Sequence, residues 1–526
     1  MGQAELLIAG LLIAVAGLSA LARRLSIPYP IVLVIGGALF GFVPGMPAVK
    51  LDPSAVLVVF LPPLVYAAAF FSNIGDIRAS LRSVTLNSIL LVLLTTGAVA
   101  LVAHAAVGGL SWGAAFALGA VVSPTDPLAG ATIMRRLEFP RRFVSSIEGE
   151  GLFNDATALV AYKVAVTAVV AGTFSLLHAS LSFVLDAVGG IAVGLLVGWI
   201  VAEVRARVED AQTSITISLL SGYAAFIPAD RLGLSGVLAA VTTGIYMGVR
   251  GPSIISARVR LQGFFVWEML DFIINASLFV LVGLQLRAVV TNLGRIPAGT
   301  LINYAVLVSG TVIVARLVWF FTTPYLIRVL DRRASQRARR VGWRPRLVLA
   351  WGGMRGAVSL AAALALPLRT HHGAFPQRDL LIFLTFCVIF ATLVLQGLTL
   401  PALINRLGVT RDEAENEEEV RARLIATKAA LAQIDALEKE DWTREDTLER
   451  LRALYDYRKR RFAARAGKIE DDGYEDRSLA YQHVVQLVLG AQRDALVRMR
   501  NEGEISNETM NDIIRELDLE ESRLEI

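Results

Sequence analysis

Apolar runs long enough to cross a bilayer recur throughout residues 1–405, and a soluble core of this size cannot absorb so many. They fall at about 3–21, 27–43, 54–71, 83–107, 111–134, 143–171, 181–202, 211–228, 232–249, 261–286, 297–327, 346–368 and 379–405. Most are close to the roughly 18–25 residues that a transmembrane helix needs. A transmembrane barrel would instead show short alternating strands. The pattern predicts an all-α polytopic membrane protein with about thirteen transmembrane helices. The 55% hydrophobic content of the 526 residues agrees with that class. The first run, LLIAGLLIAVAGLSALARR, carries its arginines after the apolar stretch. A cleaved signal peptide has the opposite polarity, so this run is read as the first helix.

Charge divides the chain in two. Residues 1–405 hold 30 Lys+Arg and 17 Asp+Glu, whereas residues 406–526 hold 21 and 29. The basic balance therefore belongs to the membrane part and does not imply nucleic acid. Assigning alternate loops to one side collects Arg23 and Arg24, Arg78 and Arg82, Arg135 to Arg142, Arg205 and Arg207, Arg250 to Arg260, and Arg328 to Arg346. Roughly 21 basic residues lie there against about six opposite, which makes that side cytoplasmic. The N-terminus is then outside and the C-terminus inside. Residues 406–526 read as a cytosolic helical region, with KIEDDGYEDR as a linker and a helix start at Ser506 and Thr509. Solvated helices without a ligand and a regulatory region are both open for it.

Cys387 is the single cysteine, so neither an intrachain disulfide nor a thiolate metal cluster is expected. No cofactor is expected. His371 and His372 fall in a predicted loop and read as solvated.

Against this background, charges at half depth stand out, because a carboxylate at the bilayer centre costs roughly 2.5–3.5 kcal/mol on insertion scales. Asp155 lies midway through the sixth run, within EGEGLFNDATALV, and Asp126 lies in the fifth run, where Pro124 and Pro127 bracket Thr125 and Asp126. Arg316 lies in the eleventh run, and Arg355 in the twelfth among Gly352, Gly353 and Gly356. Proline and glycine predict interrupted helices at these two places. Paired broken helices are the sequence pointer to a secondary transporter's ion site. With the seventh run as linker, runs 1–6 and 8–13 form two inverted six-helix repeats, each broken in its fifth helix.

These positions assign roles. Asp155 and Asp126 offer oxygen ligands and a proton acceptor. Arg316 and Arg355 offset negative charge and helix ends. Pairing Glu150 with Arg316 leaves Asp155 to titrate, and Glu148 lines the inner approach. A carboxylate that binds a monovalent cation or a proton is the minimal machine for exchange. Lys163 is expected to reach the outer interface. Glu268, Asp271 and Asn275 face the same cavity or make a helix contact; both remain open. An ion channel would need a filter loop and an intramembrane enzyme a nucleophile or metal set; no HExxH occurs.

The motifs VVSPTDPLA, EGEGLFNDATALV, FVLVGLQL, VARLVWFF and WGGMRGAVSLAAALALP together resemble the NhaP/NHE branch of the first cation:proton antiporter family. The resemblance covers nearly all of residues 1–405. It implies an NhaA/NhaP-like fold, a homodimer in the lipid bilayer, and electroneutral alternating access that exchanges sodium or lithium for protons in pH and sodium homeostasis. It implies that Asn154 and Asp155 form the Asn-Asp pair, with Asp155 binding sodium or proton. It implies that Thr125 contributes a backbone carbonyl, that Asp126 balances helix ends, that Glu150 pairs with Arg316, and that Arg355 is the arginine of the broken twelfth helix. Potassium/proton exchange on the same fold is the alternative. One departure is Gly151, where the family commonly has serine. The tail segment GEISNETMNDIIRELDLEESRL resembles cytosolic ends of bacterial members, which implies a bacterial inner membrane.

Overall fold

A computed structural model describes the chain except for residues 1–2, 26, 44–52, 80, 172–175, 295, 331–340, 371–372, 410–412, 471 and 523–526. His371, His372 and the middle of the basic block from Arg328 to Arg346 thus lie outside the described residues. The chain divides into two compact units, Met1–Arg411 and Asp412–Ile526.

Among the described residues, the regular structure of the first unit is helical apart from two short antiparallel strands, Arg369–Thr370 and Gly373–Ala374. Among the described residues, six helices are long and apolar enough to cross a membrane: Leu81–Ala106, Arg141–Ala171, Val184–Ala206, Ala257–Thr291, Ala298–Arg328 and Arg378–Leu407. Helix also occupies the other apolar runs. Two runs hold a pair of helices each. Trp112–Val122 gives way at Ser123 to Asp126 before Pro127–Arg136, and Trp343–Trp351 gives way at Gly352 to Gly356 before Ala357–Leu364.

Local chemistry explains both breaks. Pro127 occupies the first position of its helix, where a missing N–H costs nothing, and it disfavours the helical conformation at Asp126. In the second break, three glycines lower the cost of leaving the helix. The two breaks meet: the Asp126 N–H donates to the Met354 carbonyl at 2.8 Å. Unwound backbone at membrane depth is here satisfied by other unwound backbone.

Two helices of this unit are held backbone to backbone. A Cβ at Gly37 would come within 2.4 Å of the Val280 carbonyl oxygen, and one at Gly283 within 2.4 Å of the Ala38 nitrogen. Tyr29–Gly41 and Ala257–Asn292 therefore approach as only small residues permit. This places the glycine of FVLVGLQL in a packing role. The last helix of the unit runs to Leu407.

The second unit consists, among the described residues, of the helices Glu413–Leu437, Glu445–Arg465, Tyr474–Asn501 and Asn507–Ser522. Gly467, Gly473 and Gly503 take positive φ at its turns. Ser506 caps the last helix by accepting the Thr509 N–H at 3.0 Å. Val420, Leu424 and Phe462 form its small buried cluster.

Candidate functional site

Glu150 and Arg316 are an ion pair with side chains only 2% and 1% exposed. The Glu150 carboxylate also accepts the Thr125 hydroxyl at 3.1 Å and the Asn87 amide at 3.1 Å. Asn87 in turn accepts the Trp319 indole N–H at 2.9 Å. Arg316 continues to the Leu349 carbonyl at 3.3 Å, near the end of Trp343–Trp351, and stacks over Phe320 at 5.0 Å. Gly353 makes room for it, since a Cβ there would fall 2.2 Å from Arg316 Nε.

Arg355 serves the carbonyl ends. Its guanidinium donates to Val122 at 3.1 Å, to Ser123 at 3.5 Å and to Gly353. These carbonyls terminate the first halves of both broken helices, where the helix dipole concentrates negative charge. Asp126 sits at the opposite poles. It precedes Pro127–Arg136, and its carboxylate packs against Gly356, just before Ala357–Leu364. A cation lies at two helix C-termini and an anion at two N-termini, which compensates the four half-helix ends within one layer.

Asn154 is 1% exposed, and its amide donates to the Thr125 hydroxyl at 2.8 Å and the Thr125 carbonyl at 3.4 Å. Both bonds come from the amide nitrogen, so the side chain's orientation is set. The Asn154 carbonyl oxygen is left buried without a partner among the described residues. Asp155 follows on the same helix, partly buried, and no described residue donates a hydrogen bond to its carboxylate.

Glu148 is half-buried toward the basic end of the helix, in an ion pair with Arg135. Lys163, expected at the outer interface, is exposed; it pairs with Asp186 at 3.2 Å and donates to the Gly233 carbonyl at 2.8 Å. Glu268 is exposed, whereas Asn275 is buried and donates to Asp271 at 3.1 Å.

Sequence reading missed Asn87, Ser88, Trp319 and Thr392. Ser88 donates to the Glu150 backbone carbonyl at 3.1 Å, and Thr392 accepts the Arg355 N–H at 3.2 Å. Their signal was polar side chains inside apolar runs. Asn87 and Thr392 both lie in π-helical segments, Leu86–Leu91 and Thr392–Gln396, a distortion often found at functional sites.

Gly151 also has a structural reason. A Cβ there would lie 2.5 Å from two carbons of the Pro127 ring, so the first broken helix is seated directly on this glycine. Gly151→Ser is expected to overpack this contact and destabilise the protein by about 1–3 kcal/mol, read as a lower thermal unfolding temperature in detergent.

The sodium/hydrogen exchanger transmembrane family matches residues 10–406. The chain belongs to this family. The chain is 36% identical over 511 residues to a protein of Mycobacterium tuberculosis named an uncharacterized Na+/H+ exchanger, covering 96% of this chain and 93% of that one. It is 28% identical over 505 residues to the sodium, potassium, lithium and rubidium/H+ antiporter of Bacillus subtilis, covering 92% and 72%. Among solved structures, the sodium proton antiporter MjNhaP1 of Methanocaldococcus jannaschii superposes with a TM-score of 0.60 at 18% identity, over 75% of this chain and 100% of that one. The fold is shared. The protein is a multi-pass membrane protein of a secondary-transporter family.

Proposed function

We propose that the protein exchanges sodium or lithium for protons, one for one and without net charge movement, by alternating access at Asp155. The observation that carries this reading is the buried, unpartnered carbonyl oxygen of Asn154 beside a carboxylate that no described donor engages. An uncompensated acceptor at low dielectric costs about 1–3 kcal/mol, which a bound cation recovers. Glu150 is already engaged by three donors, leaving Asp155 as the group to compete sodium against proton. Asn154, and Thr125 through its carbonyl, add neutral oxygens. Asp126 and Arg355 hold the half-helix ends, and Glu148 marks the cytoplasmic approach.

The same reading takes the protein as a homodimer in a bacterial inner membrane, N-terminus outside and C-terminus cytoplasmic, serving pH and sodium homeostasis. Its membrane part has about thirteen crossings in two inverted six-helix repeats. The breadth of cations in the Bacillus relative's name keeps potassium as the alternative to be measured.

The test is proton flux in proteoliposomes on adding sodium, lithium or potassium, with the membrane potential clamped. A protonated Asp155 cannot coordinate a cation, so sodium half-saturation should rise as pH falls. The flux should not respond to the imposed potential, since one net charge moved through 100 mV involves about 2.3 kcal/mol. A half-saturation constant across three pH units would contradict the competition, and a voltage-sensitive rate would contradict one-for-one exchange.

A further inference from the structure

We infer that the Tyr474–Asn501 helix pairs antiparallel with the same helix of a second copy of this chain, through an apolar stripe that the second unit leaves open. The pairing involves the Asp412–Ile526 unit alone and is independent of the ion assignment above.

One face of this helix is already used. Ser478 and Leu489 are buried, and Arg493 donates to Asp518 of the Asn507–Ser522 helix at 2.6 Å. The start of the helix is held as well, where the Tyr474 carbonyl accepts the Tyr457 hydroxyl from Glu445–Arg465 at 2.8 Å. These contacts fix which side points inward.

The opposite side is apolar too. Tyr481, Val484, Val488, Ala491 and Ala495 follow at spacings of three and four residues, with Leu487 beside them. At 3.6 residues per turn this row lies across the helix from Ser478 and Leu489. Tyr481, Val484, Leu487 and Val488 are 65%, 57%, 62% and 49% exposed. A helix that is hydrophobic on every side is built to be covered. Alternating steps of three and four are the seam of a two-helix coiled coil, in which each side chain fits between those of the facing helix.

Charge selects the occupant and its direction. Arg477 and Arg498 continue the row one step beyond each end, and Asp476 adjoins the first. Arg477 has Asp472 at 3.2 Å, whereas the exposed Arg498 and Asp476 have no charged partner among the described residues. A parallel pair would set each arginine against its own copy, so like charges would meet at both ends. An antiparallel pair that seats Tyr481 on Ala491 and Val484 on Val488 separates them. It also brings Arg498 to the flank of Asp476 on the facing helix. The stripe is thus complementary to itself in one orientation, as a two-fold interface requires. A bilayer suits it less well. Helices that lie on membranes carry lysine and arginine along their polar face. This helix has no lysine, and residues 406–526 hold 29 acidic against 21 basic residues.

The experiment uses the full chain in proteoliposomes, with Cys387→Ser throughout and Tyr481→Cys and Ala491→Cys introduced singly and together. Both positions are exposed, so the unit's own packing is spared. Under mild oxidation the paired variant should form a covalent dimer. Each single variant should do so at least about tenfold less, because antiparallel copies hold like positions about 15 Å apart along the axis. Adding Val488→Asp to the paired variant should reduce its yield on the order of tenfold, by placing a charge in the seam. Asp476→Arg should reduce it about threefold, and Arg498→Asp added to that change should restore it. Efficient cross-linking by either single variant would show parallel helices and overturn the proposal. So would a paired variant whose cysteines stay apart, whether a water-soluble maleimide reaches them, as on a bare face, or only lipid shields them, as on a bilayer.

Discussion

Asp155→Asn should reduce sodium-driven proton flux by on the order of 100-fold or more while leaving the protein folded. The amide preserves shape and offers one oxygen, but it removes the counter-charge that offsets cation dehydration. At low dielectric such a charge is worth several kcal/mol. The substitution also removes the only proton that the proposed cycle moves. Stability should be spared, because no described donor depends on the Asp155 carboxylate and none is stranded when it becomes an amide. The measurement pairs flux in proteoliposomes with gel-filtration elution and thermal unfolding of the same preparation. Wild-type-like turnover in a monodisperse sample would remove Asp155 from the centre of the mechanism.

Glu150→Ala should fail in the opposite way, through the fold. Its carboxylate collects Arg316, the Thr125 hydroxyl and the Asn87 amide in a space almost closed to solvent. Deleting it leaves a guanidinium that is 1% exposed, and whose Nε already lacks a partner, with no counter-charge. Breaking a buried pair from one side costs about 3–5 kcal/mol, enough to depress folded yield severely in a marginally stable protein. The double variant Glu150→Ala with Arg316→Met should recover a large part of that loss, since removing both charges leaves none stranded. Thermal unfolding of the purified variants reads both effects. Normal stability in Glu150→Ala would show that the pair contributes nothing to holding these helices together.

These two residues, five apart in the same stretch of sequence, show what was readable beforehand. That Asp155 and Glu150 lie within an apolar helix followed from position alone, because the bilayer charges every buried carboxylate a desolvation cost wherever it sits. The two helix breaks were equally legible. Pro124, Pro127 and the glycines around Arg355 act on their own backbone and on immediate neighbours, so their effect is written within a few residues.

What the tertiary structure alone decided is who meets whom. Asp126 N–H reaches Met354, Asn87 reaches Glu150, and Thr392 receives Arg355, each across long stretches of chain. Gly151 read as a departure from the family's serine, and the fold makes it the seat of Pro127. Lys163 read as a residue reaching for the interface, and only the fold supplies its partners there, Asp186 and the Gly233 carbonyl. Backbone preferences act over a turn or two and leave a local trace. The choice of partner for a buried polar group depends on which helix faces come together, and the residues of one segment do not encode the face presented by another.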